Sequence, residues 1–99
     1  MKLEFHPAVQ HDFNAAVDYY ETAGGPNLAD RFEAEFRACL ESIRVNHRSF
    51  AFYQGSQVFR RIRLQGFPFV IIYRETSAGI RVTLLKHERR HPLFGLHRH

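Results

Sequence analysis

The stretch that decides the fold is Ile80-Arg81-Val82-Thr83-Leu84-Leu85-Lys86-His87-Glu88-Arg89-Arg90-His91-Pro92, near the end of the 99-residue sequence. Its first part partly alternates apolar and polar side chains and is rich in β-favouring residues, so it predicts a strand. The strand leads into a cluster of cationic and imidazole side chains, and Pro92 stops its regular continuation. Because a strand end holds side chains in a fixed place, this cluster is the first candidate for a functional surface.

The letters from His87 to His91 match the zinc-protease pattern, in which two histidines four residues apart lie on one face of a helix. Here a β-favouring run precedes the motif and Pro92 follows it, so we expect no helix. On a strand the two histidines would lie about 13 Å apart, too far for one metal ion. No other histidine spacing suggests convergent ligands, and we therefore predict no metal and no cofactor.

Length and composition predict one domain over residues 1–99, because a chain of this size and 44% hydrophobic content can build a modest core. No apolar run approaches membrane-spanning length, and the N-terminal residues lack a signal-peptide pattern. We therefore expect a cytoplasmic protein with no membrane partner. The lone Cys39 lies on a helical apolar stripe and is most simply a thiol of the core.

The charge is unevenly distributed along the sequence. Residues 1–49 hold five Lys or Arg against eight Asp or Glu, whereas residues 50–99 hold nine against two. Twelve of the fourteen cations are arginine, whose planar fork binds phosphate and carboxylate through two hydrogen bonds. An acidic half and an arginine-rich half together indicate an anionic partner.

The first half predicts a short strand and two helices. Residues 2–5 alternate polar and apolar side chains, and His6-Pro7 then opens a helix with apolar positions at the helical period. Gly24-Gly25-Pro26 ends this helix, and Asn27 is expected to cap a second one that ends near Asn46-His47. The apolar stripes of the two helices predict an antiparallel helical hairpin; they contain Val9, Phe13, Ala16, Val17 and Tyr20, then Leu28, Phe32, Phe36, Cys39 or Leu40, and Ile43.

The second half predicts three strands, over residues 58–64, 67–74 and 80 onward, joined by turns at Gln65-Gly66 and Ser77-Ala78-Gly79. They should form an antiparallel meander, and the aromatic residues of the loop before them should pack on the core. The expected fold is α+β in the order β-α-α-β-β-β, with the helices packed on one face of the sheet. The other face would be left for the arginines. The terminal Leu-His-Arg-His is expected to fray.

On that second face we expect one basic surface, bordered by Arg89 and Arg90 and within reach of Tyr73; its centre would contain Arg61, Arg63, Arg81 and His87. Such a surface could neutralise phosphates. It also contains the groups that metal-free RNA cleavage needs, since His87 could transfer protons and the arginines could stabilise a charged phosphorane. The alternative is a solvated face with a few ion pairs.

Together these stretches resemble toxins of the RelE/ParE superfamily from bacterial type II toxin–antitoxin systems. The resemblance spans residues 5–92 and is carried by Val17-Asp18-Tyr19-Tyr20, Arg31-Phe32, Leu40-Glu41-Ser42-Ile43, Arg60-Arg61-Ile62-Arg63-Leu64, Phe67-Pro68-Phe69-Val70-Ile71-Ile72-Tyr73-Arg74 and Lys86-His87-Glu88-Arg89-Arg90-His91-Pro92. It implies a helical hairpin packed on a small antiparallel sheet, in agreement with the prediction from periodicity.

The superfamily contains two activities. RelE-type members are ribosome-dependent mRNA endonucleases, and resemblance to them implies a metal-independent enzyme with the catalytic residues His87, Arg61, Arg63 and Arg81. However, Phe69-Val70 stands where those nucleases usually have Tyr-Arg, and no tyrosine follows His87.

ParE-type members share the long helical hairpin and a histidine-containing turn, matched here by His87-Glu88-Arg89. Resemblance to them implies a non-enzymatic toxin that poisons DNA gyrase and is held inactive by a cognate antitoxin, and we prefer this hypothesis. The antitoxin would lay an amphipathic segment over the hairpin and the sheet. The target-binding residues expected are Arg60, Arg61, Arg63, Tyr73, Arg81, His87, Arg89 and Arg90. An mRNA endonuclease acting at the ribosome and an inactive toxin remain the alternatives.

Overall fold

The computed structural model describes residues 2–99. Its elements follow the predicted order and confirm the α+β class; they are strand β1 (Leu3–Phe5), helix α1 (Ala8–Asn46), a 3₁₀ turn (His47–Ser49), and strands β2 (Phe59–Arg63), β3 (Phe69–Thr76) and β4 (Gly79–His87).

Helix α1 is interrupted at Gly25, whose φ of 83° and ψ of −178° are not helical. Glycine adopts this positive φ without steric cost, and Pro26 suits the first turn of the following helical segment because it lacks an N–H. The break divides α1 into arm 1 (residues 8–24) and arm 2 (residues 26–46). The predicted cap at Asn27 is wrong, because that residue already lies inside arm 2.

The two arms are antiparallel, as predicted. The ring centroids of Phe13 and Phe36 are 4.9 Å apart, and those of Tyr20 and Phe32 are 5.1 Å apart. Residues later in arm 1 therefore contact residues earlier in arm 2. The predicted stripe is buried at Phe32, Phe36, Cys39 and Ile43. Each such aromatic or aliphatic side chain contributes about 1.5–3 kcal/mol when fully buried.

The sheet has the strand order β1-β4-β3-β2. The predicted meander of β2, β3 and β4 is confirmed as antiparallel. Strand β1 pairs in parallel with β4 over Leu3 to Phe5, which makes the sheet mixed. One face of the sheet, the helix face, packs on α1 through Ile71, Tyr73, Ile80, Val82 and Leu85.

The opposite face, here called the outer face, has its own apolar cluster. Tyr53, Phe59, Val70, Ile72 and Leu84 are buried there, and Leu96 packs against them. We expected this face to be left to the arginines, but the centre of the face is apolar and buried, so the expectation is wrong there. The β-favouring residues of β3 and β4 are apolar on both faces, so a second covering layer is needed to keep them from water.

That covering layer comes from the loop before β2 and from the C-terminal tail (residues 92–99). The tail packs Leu96 on the outer face and places the ring of His99 over Phe59, with centroids 6.4 Å apart. Gly95 allows this close approach, since a Cβ there would lie 2.7 Å from Leu84 Cδ1. The expected fraying is wrong, because the tail is fixed by apolar packing and by hydrogen bonds from Arg98.

Candidate target-binding site

The positions of the candidate residues depend on a bulge in β4. Ile72 pairs with Leu84 and Tyr73 pairs with Val82, so Thr83 has no partner on β3. Because successive strand residues point to opposite faces, one extra residue reverses the alternation beyond it. Arg81, before the bulge, pairs with Arg74 on the outer face. His87, after the bulge, lies on the helix face.

Contacts of His87 confirm this placement. Its ring lies 5.3 Å from the ring of Phe69 in a T-shaped arrangement, and Phe69 itself packs on Tyr20 and Phe32 of α1. The Nδ1 atom of His87 accepts a hydrogen bond from the backbone N–H of Arg89 at 3.0 Å. The expectation that His87 shares a face with Arg61, Arg63 and Arg81 is therefore wrong, and its cause is the bulge.

Arg61 and Arg63 do share the outer face, on the edge strand β2. Both are exposed. The side chain of Arg61 makes no hydrogen bond or ion pair within residues 2–99, whereas the Nε of Arg63 donates to the carboxylate of Glu88. These two arginines remain available to an anionic partner.

Arg81 and Arg60 have contacts that fix the fold. The Nε of Arg81 donates to the carbonyl of His99 at 2.8 Å, and its Nη1 lies 3.9 Å from a carboxylate oxygen of Glu4. Arg60 donates to the carbonyl of Phe50 at 2.7 Å and lies 3.9 Å from the centroid of the Phe52 ring. Arg81 thus holds the tail, and Arg60 holds the loop before β2.

Tyr73 is not at the surface. It is fully buried on the helix face, and its hydroxyl donates to the carbonyl of His47 at 2.7 Å. Burial raises the pKa of Tyr73 to about 12. The prediction that it reaches the basic surface is wrong, because strand alternation points it toward α1.

Beside His87 lies an open groove of about 660 Å³ between arm 1 and the ends of β3 and β4. Tyr19, which is 64% exposed, forms one side, and Phe94 and Arg90 form the other. Tyr20 lines the groove beside Tyr19, and burial raises the pKa of its hydroxyl. Aromatic side chains and arginine are enriched in surfaces that bind other proteins, and the groove contains Tyr19, Phe94 and Arg90, so it is a candidate for such a surface.

The turn after β4 adds a cationic group to this groove. Arg89 and Arg90 of the turn are both exposed, but only Arg90 lines the groove, and its guanidinium lies 4.7 Å from the centroid of the Phe94 ring. Sequence reasoning missed Tyr19 and Phe94 as groove residues. The signal for Tyr19 was its place beside Tyr20, one position off the buried stripe, but Phe94 required knowledge of the path of the tail.

Within residues 2–99, no group of three or more His, Cys, Asp or Glu side chains is arranged to hold a metal ion. His87 ends a strand and His91 follows the next turn in irregular chain, so the two histidines do not share one helix as the zinc-protease pattern requires. Over the same residues, α1 lacks the long apolar segment that membrane crossing requires.

Comparison with known proteins points to one family. The family model described as "ParE toxin of type II toxin-antitoxin system, parDE" matches residues 3–92. No curated protein matches the sequence. Among solved structures, one described as "Chromosomal ParDE TA system from P. aeruginosa" superposes with a TM-score of 0.77 and 18% sequence identity, covering 88% of this chain and 95% of that one. At this identity the likeness establishes a shared fold.

Proposed function

Because the chain belongs to the ParE toxin family of type II toxin–antitoxin systems, we propose that it inhibits growth by binding DNA gyrase and that a cognate antitoxin neutralises it. We prefer a binding mechanism to RNA cleavage because of the bulge at Thr83. It separates the one strong acid–base candidate, His87, from the arginines of the outer face.

RNA cleavage without a metal ion requires a proton-transfer group within hydrogen-bond reach of the reacting atoms and cationic groups around the same phosphate. His87 lies on the helix face, whereas Arg61 and Arg81 lie on the outer face of the same sheet. In addition, the guanidinium of Arg81 already contacts the carbonyl of His99 and the carboxylate of Glu4. This arrangement supports a toxin that binds its target and does not cut RNA.

The groove beside His87 is our candidate for the antitoxin site. Its exposed aromatic side chain Tyr19 and its lining residues Phe69 and Phe94 suit the apolar side of an amphipathic segment. Arg90 at one end suits an acidic side chain on the polar side of that segment. An antitoxin bound here would contact both arm 1 and the end of the sheet.

The first test is induced expression of the chain in a bacterial host, with pulse labels for DNA and protein synthesis during the first minutes. We expect DNA synthesis to fall first. If translation falls first and messages are cut, the chain is an mRNA endonuclease. If neither falls and the cells grow, the chain is an inactive toxin in that host.

A second test uses purified components. Increasing amounts of the chain are added to DNA gyrase, and supercoiling of a relaxed plasmid is followed. We expect inhibition that disappears when the cognate antitoxin is added first. Full supercoiling at a large molar excess of the chain would contradict gyrase as the target.

A further inference from the structure

We propose that Arg61, Arg63 and Arg89 form a binding strip for the phosphate backbone of duplex DNA, and that the chain uses this strip to hold the DNA on which gyrase acts. The inference rests on the proposed function, because gyrase works on duplex DNA. These three residues are called the arginine strip below.

The strip begins with two arginines at a fixed spacing. Arg61 and Arg63 are two residues apart on β2, so their Cα atoms lie about 7 Å apart and their side chains leave the same face. The chain before β2 pairs with its outer edge from Phe59 to Arg61, through a bridge between Phe52 and Arg60 and a hydrogen bond from the Arg61 N–H to the Ala51 carbonyl at 3.0 Å. This pairing involves only the backbone of Arg61, and the side chains of Arg61 and Arg63 are both exposed.

Most hydrogen-bond donors of the strip are free. Arg61 has no side-chain partner within residues 2–99, and Arg63 uses only its Nε, for Glu88. An arginine carries five N–H donors, so the terminal nitrogens of Arg63 can still bind a phosphate. The contact with Glu88 also ties Arg63 to the turn that carries Arg89, whose exposed side chain has no partner in the same part of the chain.

Little negative charge lies near the strip. Residues 50–99 contain only two carboxylates, and Glu75 is engaged at the end of β3 by His47 and Arg48. Glu88 contacts Arg63, and Glu35 lies at the same end of β2, where it accepts the backbone N–H of Gln65 at 2.6 Å. Six carboxylates, Glu35 among them, follow Asp12 along α1, which packs on the opposite face of the sheet. The molecule is thus electrostatically two-sided, which would steer a polyanion toward the outer face and away from α1.

The strip predicts a moderate affinity with a defined salt dependence. Three phosphate contacts on duplex DNA release about 2.7 counterions, so affinity should fall roughly fortyfold between 50 and 200 mM salt. Such binding is weak by itself and becomes effective when gyrase supplies further contacts. No base is read by these contacts, so the binding should be independent of DNA sequence.

The experiment measures fluorescence anisotropy of a labelled 30-base-pair duplex with the full chain from 50 to 200 mM NaCl. The test variant is Arg61→Gln/Arg63→Gln. The matched control is Arg37→Gln/Arg44→Gln, which removes the same charge from exposed positions of α1 that pair with Glu33 and Glu41. We expect only the test variant to lose affinity for the duplex, by at least tenfold. In that variant the slope of log affinity against log salt concentration should also become shallower by about 2.

Equal losses in both variants, or no loss in either, would overturn the arginine strip. Tighter strip-dependent binding to single-stranded RNA than to duplex DNA would overturn the choice of ligand.

The same variants in the supercoiling assay separate the two proposals. Gyrase inhibition that is unchanged in the test variant would refute the strip and leave the proposed function standing. Duplex binding through the strip without any gyrase inhibition would refute the proposed function and leave the strip standing.

Discussion

Arg98 and Asp12 form an ion pair that joins the C-terminal tail to arm 1 across 86 residues of chain, with 2.6 Å between Nη1 and Oδ2. The same carboxylate accepts the backbone N–H of Leu85 at 3.1 Å, and the same guanidinium donates to the carbonyl of Thr83 at 3.2 Å. Strand β1 covers β4 only as far as Val82. The ion pair therefore satisfies edge groups of β4 just beyond the point where β1 ends.

We expect Asp12→Ala to destabilise the fold by about 3 kcal/mol, because it leaves a largely buried guanidinium and an edge N–H without partners. Urea unfolding at neutral pH measures the loss. Asp18→Ala, at an exposed position of the same arm, is the control and should change stability by less than about 0.5 kcal/mol. Equal losses in the two variants would show that the ion pair contributes nothing specific.

Deleting Thr83 should leave a folded chain. The deletion places Leu84 directly after Val82, so the pairs Ile72–Leu84 and Tyr73–Val82 become successive pairs of a regular ladder, and Leu84 and Leu85 keep their buried faces. It removes the Thr83 carbonyl that accepts from Arg98, so we expect a loss of about 1–3 kcal/mol. Thr83→Val keeps the bulge and removes only a hydroxyl that lies 3.4 Å from the Ile72 carbonyl, so it should cost less than about 1.5 kcal/mol. Thermal melts followed by circular dichroism compare the two. Loss of folding in the deletion variant would refute the interpretation of Thr83 as one extra residue in β4.

His87→Ala should reduce growth inhibition by less than tenfold, because a binding residue contributes one contact among many. A general acid–base residue would instead contribute about 10²–10⁴-fold in rate. Dose–response curves for induced growth inhibition measure the effect at matched expression levels. Complete loss of toxicity with normal target binding would identify His87 as catalytic and contradict the proposed mechanism.

Glu75 should give the fold an acid-sensitive contact. Hydrogen bonds from Arg48 and then His47 lower the pKa of Glu75 from 4.5 to about 2. Because the pKa of Glu75 is lower in the folded chain than in the unfolded chain, the ionised carboxylate stabilises the fold at pH values above about 4.5. That stabilisation is lost as pH falls from about 4.5 to about 2. Glu75→Gln should therefore be less stable than the unchanged chain at pH 6 and equal to it near pH 2. Urea midpoints across this range test the prediction, and a constant difference would contradict it.

Cys39 should be unreactive in the folded chain. Burial, followed by the nearby Glu35, raises the pKa of its thiol from 9.0 to about 12. The thiolate fraction at pH 8 should thus be about a thousandfold lower than in the unfolded chain. Labelling with a thiol reagent in buffer and in concentrated urea compares the two states. Rapid labelling in buffer would show that the thiol is accessible and ionised.

Several features were predictable because they depend on local patterns. The helical period of Phe32, Phe36 and Ile43 identifies the buried side of arm 2, and the Gly24-Gly25-Pro26 run identifies the break. The exposed arginines of β2 were also found from alternation alone. The roles assigned to Tyr73 and Arg81 failed for different reasons. Tyr73 points toward α1, and Arg81 is held by a tail that was expected to fray.

The sequence by itself determined the order of the elements, the antiparallel pairing of the helical arms, the meander and the basic second half. These follow from periodicity, turn residues and charge, which act over a few neighbouring residues. Only the tertiary structure decided the face of His87 and the contacts that occupy Arg81. The extra residue at Thr83 reverses the alternation of β4, and the tail closes the outer face through Leu96 and the Arg98–Asp12 pair. Both depend on contacts between residues far apart in the chain, where no local pattern carries the information.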